Sequence, residues 1–172
     1  MSAGAQSPGG PATVQVRMAD LADAKDCNAI VQLIDAYARD PRGGGQPLPS
    51  PVRERLITGL RSHPTTRVWL AFAGGAAVGV CIGFTGFSTF QAQPLLNIHD
   101  LAVLSTHHGR GVGASLLAAA EAHAREQGWC KLTLEVQDDN APARRLYERA
   151  GFRDVRYGDS GPTRFLAKPL AD

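Results

Sequence analysis

The sequence predicts one mixed α/β domain built on a single central sheet. Three observations carry this prediction: β-leaning runs separated by a glycine pair, runs with apolar residues at three-and-four spacing, and a glycine-rich turn between a strand and a helix. At 172 residues the chain has room for one domain with a substantial core and is short for two. Apolar residues make up 44% and charged residues 20%, which excludes a wholly disordered or coiled-coil chain.

Charge and cysteine usage narrow the class. The formal net charge is +2, with no block of lysines and arginines interleaved with aromatics, so no nucleic-acid partner is expected. Cys27, Cys81 and Cys130 are odd in number and widely spaced, unlike a disulfide framework or a zinc-ligand pair, and point to a reducing cytoplasm. The leader Met1 to Ala12 is rich in Gly, Ser, Ala and Pro but lacks the basic and apolar regions of a signal peptide; a disordered leader is expected there, with the catalytic domain over 13–172. No run approaches the roughly 18 apolar residues of a membrane span, so no membrane association is expected.

Val14 to Met18 alternates apolar and polar residues and is the expected first strand. Cys27, Ile30, Val31, Ile34 and Tyr37 collect on one face of a helix that ends before Pro41. Asp40 to Pro51 is loop by composition, after which Ser50 and Pro51 suit the cap and first position of a helix through Arg61. Thr66 to Ala73 and Ala77 to Phe84 form an antiparallel pair turning at Gly74-Gly75.

Gly86 to Pro94 reads as a loop, and Leu95 to Val103 as a central strand. A helix from Gly111 carries Leu116, Leu117, Ala120 and Ala124 on one face and ends at Gly128; Lys131 to Val136 returns as a strand in a right-handed parallel crossover. Asn140 is a good helix N-cap, with Pro142 in the first turn and Gly151 placed to stop the helix. Short β segments at Phe152 to Arg156 and Thr163 to Ala167 complete a sheet of about six or seven strands.

The turn Gly109-Arg110-Gly111-Val112-Gly113-Ala114 opens a helix, where unpaired N–H groups and the helix dipole attract phosphate. Glycines also occur where a helix packs closely on a strand, so spacing alone does not decide between the two uses. A Walker P-loop fails because Gly113 is followed by Ala114-Ser115 with no lysine. A dinucleotide site stays open as a minor alternative, since Glu135 ends the next strand, although the pattern is G-x-G-x-G and three strands precede it.

Residues 97–152 resemble the GNAT superfamily of N-acetyltransferases in three linked parts. Leu101-Ala102-Val103 followed by His108-Gly109-Arg110-Gly111-Val112-Gly113 resembles the family's strand and its Q/R-x-x-G-x-G/A turn. Leu134-Glu135-Val136 resembles the next strand, and Asn140-x-x-Ala143-x-x-Leu146-Tyr147-x-x-x-Gly151-Phe152 resembles the helix that closes the cofactor site. His108 stands where the family usually has Gln or Arg. The resemblance implies a GNAT-like fold with a splayed central strand, and acetyl-CoA as donor. Its pantetheine arm would lie along Leu101, Ala102 and Val103, its pyrophosphate on His108 to Ala114, and Asn140 would contact the arm or cap its helix, or both.

Transfer to an amine needs a neutral nucleophile and a proton for the departing thiolate. By resemblance Tyr147 is the acid; a phenol titrating near pH 10 can donate to a thiolate whose thiol titrates near 8.5. His99 is the first choice of base, because imidazole titrates near 6.5. Asp100 faces away from His99 if the strand is regular, so only one of the two meets the acceptor unless a bulge intervenes. Glu135 is the third candidate. It matches the base of relatives that acetylate ribosomal-protein amino termini. No covalent intermediate is required, so Cys81 and Cys130 read as core thiols, and His107-His108 lacks a third ligand, so no metal is expected.

Phe87-Ser88-Thr89-Phe90, Pro94 and Asp100-Leu101-x-Val103 resemble the diamine and thialysine acetyltransferase branch, except that its usual Glu-Asp is here His99-Asp100. The expected partner is therefore a small amine: diamine, polyamine or amino-acid-like. Protein amino termini or lysines are the alternative acceptors, and a catalytically silent acyl-CoA-binding module is the alternative of another class. Many relatives of this kind form dimers, which makes a homodimer the expected assembly.

Overall fold

The computed structural model describes residues 13–156, 158–159, 161, 163 and 165–168. The expected disordered leader, Met1 to Ala12, lies outside them. Five strands form one sheet in sequential order: β1 (Gln15–Met18), β2 (Thr66–Ala73), β3 (Ala76–Ser88), β4 (Gln93–Val103) and β5 (Leu132–Leu134). The first four pair antiparallel and β5 runs parallel to β4. The crossover between β4 and β5 is the helix α3, Val112–Glu126.

Periodicity explains why each face of the sheet is covered. Helix α1 (Ala24–Arg39) buries Ile30 and Leu33, and α2 (Ser50–Ser62) buries Leu60, against Leu70, Val80 and Ile82 on one face. Alternate residues Trp69, Cys81 and Ile98 point the other way and pack on Leu116, Leu117 and Ala120 of α3. Fully burying a leucine such as Leu116 stabilises the fold by about 2 kcal/mol. A fourth helix, α4 (Ala141–Arg149), lies beside the α3 layer through Leu146 and Tyr147.

Two further contacts hold α1 in place. Asp26 accepts both ends of the Arg17 guanidinium, at 2.6 and 2.7 Å, and the Asp20 N–H at 2.8 Å. Asp35 accepts from the Leu48 N–H at 2.9 Å and from Arg39 Nε at 3.0 Å, binding the proline-rich connection to the helix.

Several sequence expectations are corrected. The strand count among the described residues is five rather than six or seven. Gly86 to Pro94 is not a loop throughout: Gly86, Phe87 and Ser88 continue β3 and pair with Leu95, Pro94 and Gln93, because hairpin register carries pairing past the apolar runs. The segments Phe152 to Arg156 and Thr163 to Ala167 are not strands among the described residues, although Thr163 Oγ1 donates to Val155 O at 3.1 Å; Arg164 lies outside the described residues. Ser50 is the first residue of α2 rather than its cap. Pro49 takes the capping position, and its carbonyl accepts from the N–H groups of Val52 and Arg53.

Candidate active site

The site grows out of an irregularity in β4. Ile82 faces Asp100 and Gly83 faces Ile98, so His99 is one residue too many for its partner strand. Before this bulge Leu96 and Ile98 point into the α3 layer; after it Leu101 and Val103 do, and the alternation has moved by one. Asp100 shares its face with Ile82, the α1–α2 side. His99 lies on the same side, its ring 5.5 Å from that of Phe84 and nearly edge-on. The bulge thus brings together two residues that a regular strand would separate.

The pairing of β4 with β5 ends at Ile98 and Leu134. Beyond that point β4 runs on with no strand paired along one edge. The Leu104 N–H donates to Val78 O at 2.9 Å on the β3 side; by antiparallel alternation the polar groups of Leu101 and Val103 face the open edge. Ala102 instead buries its side chain in the α1–α2 layer.

The glycine-rich turn begins at this edge. Gly109 and Gly111 have φ of +73° and +80°, and a Cβ on either would meet no atom within 4 Å, so the turn presents bare backbone to open space. Arg110 is exposed between them. The first bond into α3 runs from Ser115 N to Gly111 O at 2.9 Å, so the N–H groups of Val112, Gly113 and Ala114 begin the helix without intrahelical partners. A Cβ on Gly113 would stand 3.0 Å from Leu146 Cδ2, and this close approach lets α4 dock on the same helix start.

Asn140 caps α4: its Oδ1 accepts from the Ala143 N–H at 3.3 Å. Tyr147 follows two turns later, half-buried against the α3 layer. Burial pushes its phenol up to about 12, with Tyr37 and Cys81 adding to the rise. Tyr37 lies on α1, across the sheet from α4, so the open edge brings groups from the two faces within electrostatic reach of each other. Cys81 is a fully buried thiol, also pushed up to about 12 chiefly by burial, and is inert as a nucleophile at neutral pH.

On the α1–α2 side the carboxyl groups differ. Asp100 is partly buried, its carboxyl group hydrogen-bonds to none of the described residues, and that group is held above the ordinary carboxylate range by burial, with His99 acting the other way. Glu135 is exposed just past β5, where its Oε1 accepts from Asn97 Nδ2 at 3.3 Å; the same amide donates to Thr133 Oγ1 at 3.1 Å. All three candidate bases therefore lie toward one side of the sheet.

Three residues were not singled out in the sequence as part of this site. Tyr37 read only as the inner face of α1, yet its phenol is raised by burial and then by Asp100 and Asp40. Phe84 read as strand, and His63 followed a helix end; their rings meet at 4.9 Å, forming with His99 an aromatic row. No local motif marks these three, because only the tertiary fold brings Tyr37 near Asp100 and the Phe84 ring against His63 and His99. Among the described residues no group of three His, Cys, Asp or Glu is placed to hold a metal ion. No helix there is long and apolar enough to cross a membrane.

A family model described as "Acetyltransferase (GNAT) family" matches residues 30–152. The chain belongs to the GNAT family. GNAT acetyltransferases use acetyl-CoA as the acetyl donor. Among curated relatives, the streptothricin acetyltransferase of Streptomyces lavendulae is 40% identical over 81 residues, covering 47% of this chain and 43% of its own length. A mycothiol acetyltransferase of Parafrankia sp. is 39% identical over 71 residues, covering 39% and 22%. This chain thus spans less than half the length of both. A solved structure of a probable acetyltransferase superposes with a TM-score of 0.75 at 22% identity, over 92% of this chain and 99% of that one, which establishes the GNAT fold.

Proposed function

We propose that this protein transfers an acetyl group from acetyl-CoA to the primary amine of a small molecule. The observation that carries the reading is the open end of the sheet between β4 and β5. A backbone edge and an anion-attracting turn lie at this opening, with a neutral phenol on one side and the acceptor-side groups His99, Asp100 and Glu135 on the other.

The residues fit such a donor. The edge groups of Leu101 and the N–H of Val103, whose carbonyl is bonded by His108, would take the pantetheine arm as an added strand, with Ala102 between them filling the opposite layer. The N–H groups of Val112, Gly113 and Ala114, with the bare turn from Gly109, would hold the pyrophosphate, and Arg110 adds positive charge. Asn140 has its amide nitrogen left for the arm while its oxygen caps α4. When bound, acetyl-CoA supplies an acetyl group activated as a thioester. His99 takes the proton of the attacking amine, directly or through water, Asp100 orients that amine, and Tyr147 gives its phenolic proton to the departing sulfur. Glu135, fixed by Asn97, is the competing base.

Similarity to streptothricin and mycothiol acetyltransferases favours a small-molecule acceptor. A second reading, acetylation of protein amino termini, is favoured by the placement of Glu135 beside the same opening. Thiol release from acetyl-CoA over a panel of mono-, di- and polyamines, amino acids and short peptides tests the proposal. Turnover with small amines supports it; turnover confined to peptides selects the second reading. Cofactor binding without turnover on any acceptor identifies a silent acyl-CoA-binding module. We further propose a cytoplasmic homodimer, to be checked by sedimentation and fractionation.

A further inference from the structure

His108 is the one departure from the family's turn pattern, and its side chain has a defined partner. The N–H of Leu104 points toward β3, where it donates to Val78 O at 2.9 Å. In a trans peptide the carbonyl lies on the opposite side from the N–H, and the described residues contain no cis peptide bonds. The Val103 carbonyl therefore faces the edge that β5 does not reach, where a backbone acceptor lacks a neighbouring strand.

His108 fills that need. Its Nε2 lies 2.8 Å from Val103 O. A carbonyl carries no proton, so Nε2–H is the donor, in the neutral ring or the imidazolium. The backbone of His108 is held as well, its N–H donating to Ser105 O at 3.2 Å. A second contact joins the same two pieces: the Val103 side chain packs against the buried cluster that contains Val112 and Leu116 of α3. Strand edge and turn are thus linked at two points, through the carbonyl and the side chain of one residue.

We propose that His108 is a positioning residue whose Nε2–H bond to Val103 fixes the spacing between the open edge of β4 and the unpaired N–H groups that begin α3. A ligand with an extended amide arm and a pyrophosphate then meets both without rearranging the turn. The inference rests on the proposed acetyl-CoA site. It assigns the ring to the strand rather than to the ligand, so removing the ring weakens donor affinity and leaves the chemical step alone.

The test is calorimetric binding of acetyl-CoA to wild type, H108Q, H108N and H108A, with melting curves and with KM and kcat on the best amine of the panel. A glutamine amide nitrogen reaches about as far as Nε2, whereas an asparagine amide stops near the position of Nδ1. H108A and H108N are expected to bind acetyl-CoA roughly five- to tenfold more weakly and to raise its KM equally, with kcat at saturation within about twofold of wild type. H108Q is expected to restore affinity. Wild-type affinity in both H108A and H108N overturns the inference, as does tighter binding, which would mean that the ring competes with the ligand for the carbonyl. A kcat loss matching the affinity loss also overturns it. Failure of the wild-type protein to bind acetyl-CoA rejects the proposed donor instead. Should H108A not fold, the contrast between H108Q and H108N decides.

Discussion

Tyr147 and Phe152 are joined twice. The Phe152 N–H donates to Tyr147 O at 2.9 Å, and the two rings meet edge to face at 5.9 Å. With the Gly151 N–H donating to Glu148 O at 3.1 Å, this is the hydrogen-bond pattern that closes a helix through a left-handed glycine, and its usual apolar contact here falls on the proposed acid. The Tyr147 phenol is thus aimed by the end of its own helix. Tyr147→Phe, which keeps the ring contact and removes the proton, is expected to bind acetyl-CoA as wild type and to lower kcat by about 10²- to 10⁴-fold. Calorimetry beside steady-state kinetics checks this. Because the phenol stays protonated until about 12, no alkaline decline in kcat below pH 10 is expected from Tyr147.

Gly151 has φ of +91°, which a side chain adopts only with strain. Gly151→Ala is expected to cost about 1–2 kcal/mol and lower the melting temperature by a few degrees. It should also reduce kcat, since the strain falls on the closure that aims Tyr147. A melting curve and a kcat measured on the same sample separate the two effects; full activity in a destabilised variant removes the aiming role.

Asp100 yields opposite signs for stability and activity. A carboxyl group held above its ordinary range by burial favours the protonated form in the fold, so the fold is weakened as pH rises through that range and the group ionises. Asp100→Asn is expected to raise the melting temperature at pH 7 while raising the KM for the amine. At pH 4 the difference in melting temperature should shrink. A lower melting temperature at pH 7 would contradict the assignment.

Asp26 runs the other way. Hydrogen bonds from Arg17 hold its carboxyl below the ordinary range, opposed by burial and reinforced by the Asp20 N–H. Its contribution is complete above about pH 4 and is lost as pH falls through the lowered value. The Arg17 side chain is 53% exposed, so solvent screens the pair, and Asp26→Ala is expected to cost about 1–2 kcal/mol at neutral pH. Denaturant melts at pH 7 and pH 3 check both the cost and its loss.

The sequence was informative wherever one residue type suffices for a local geometry. Gly74-Gly75 marked the hairpin, Asn140 the start of α4 and Gly151 its end, because each satisfies a backbone requirement within a few residues. The crossover between β4 and β5 was legible from periodicity together with the glycines that bound its helix, Gly111 and Gly128. What periodicity missed depends on a partner strand: the extension of β3 to Ser88 follows from register with Gln93, and the bulge at His99 is visible only against Ile82 and Gly83. Tyr37, Phe84 and His63 come from separate parts of the chain, and the approach of Tyr37 to Asp100 and of the Phe84 ring to His63 and His99 is a property of the packed fold.

The bulge also bears on how a chemistry can change while a scaffold does not. Because inward and outward alternation restarts after His99, the residue there is a member of neither buried cluster and meets the α1–α2 side through its ring contact with Phe84. Substituting it alters the proton-accepting group, with the edge-on Phe84 ring as the neighbour that must adjust. Position 99 is in this sense an exchangeable part, and new acceptors could be explored there at little risk to the fold.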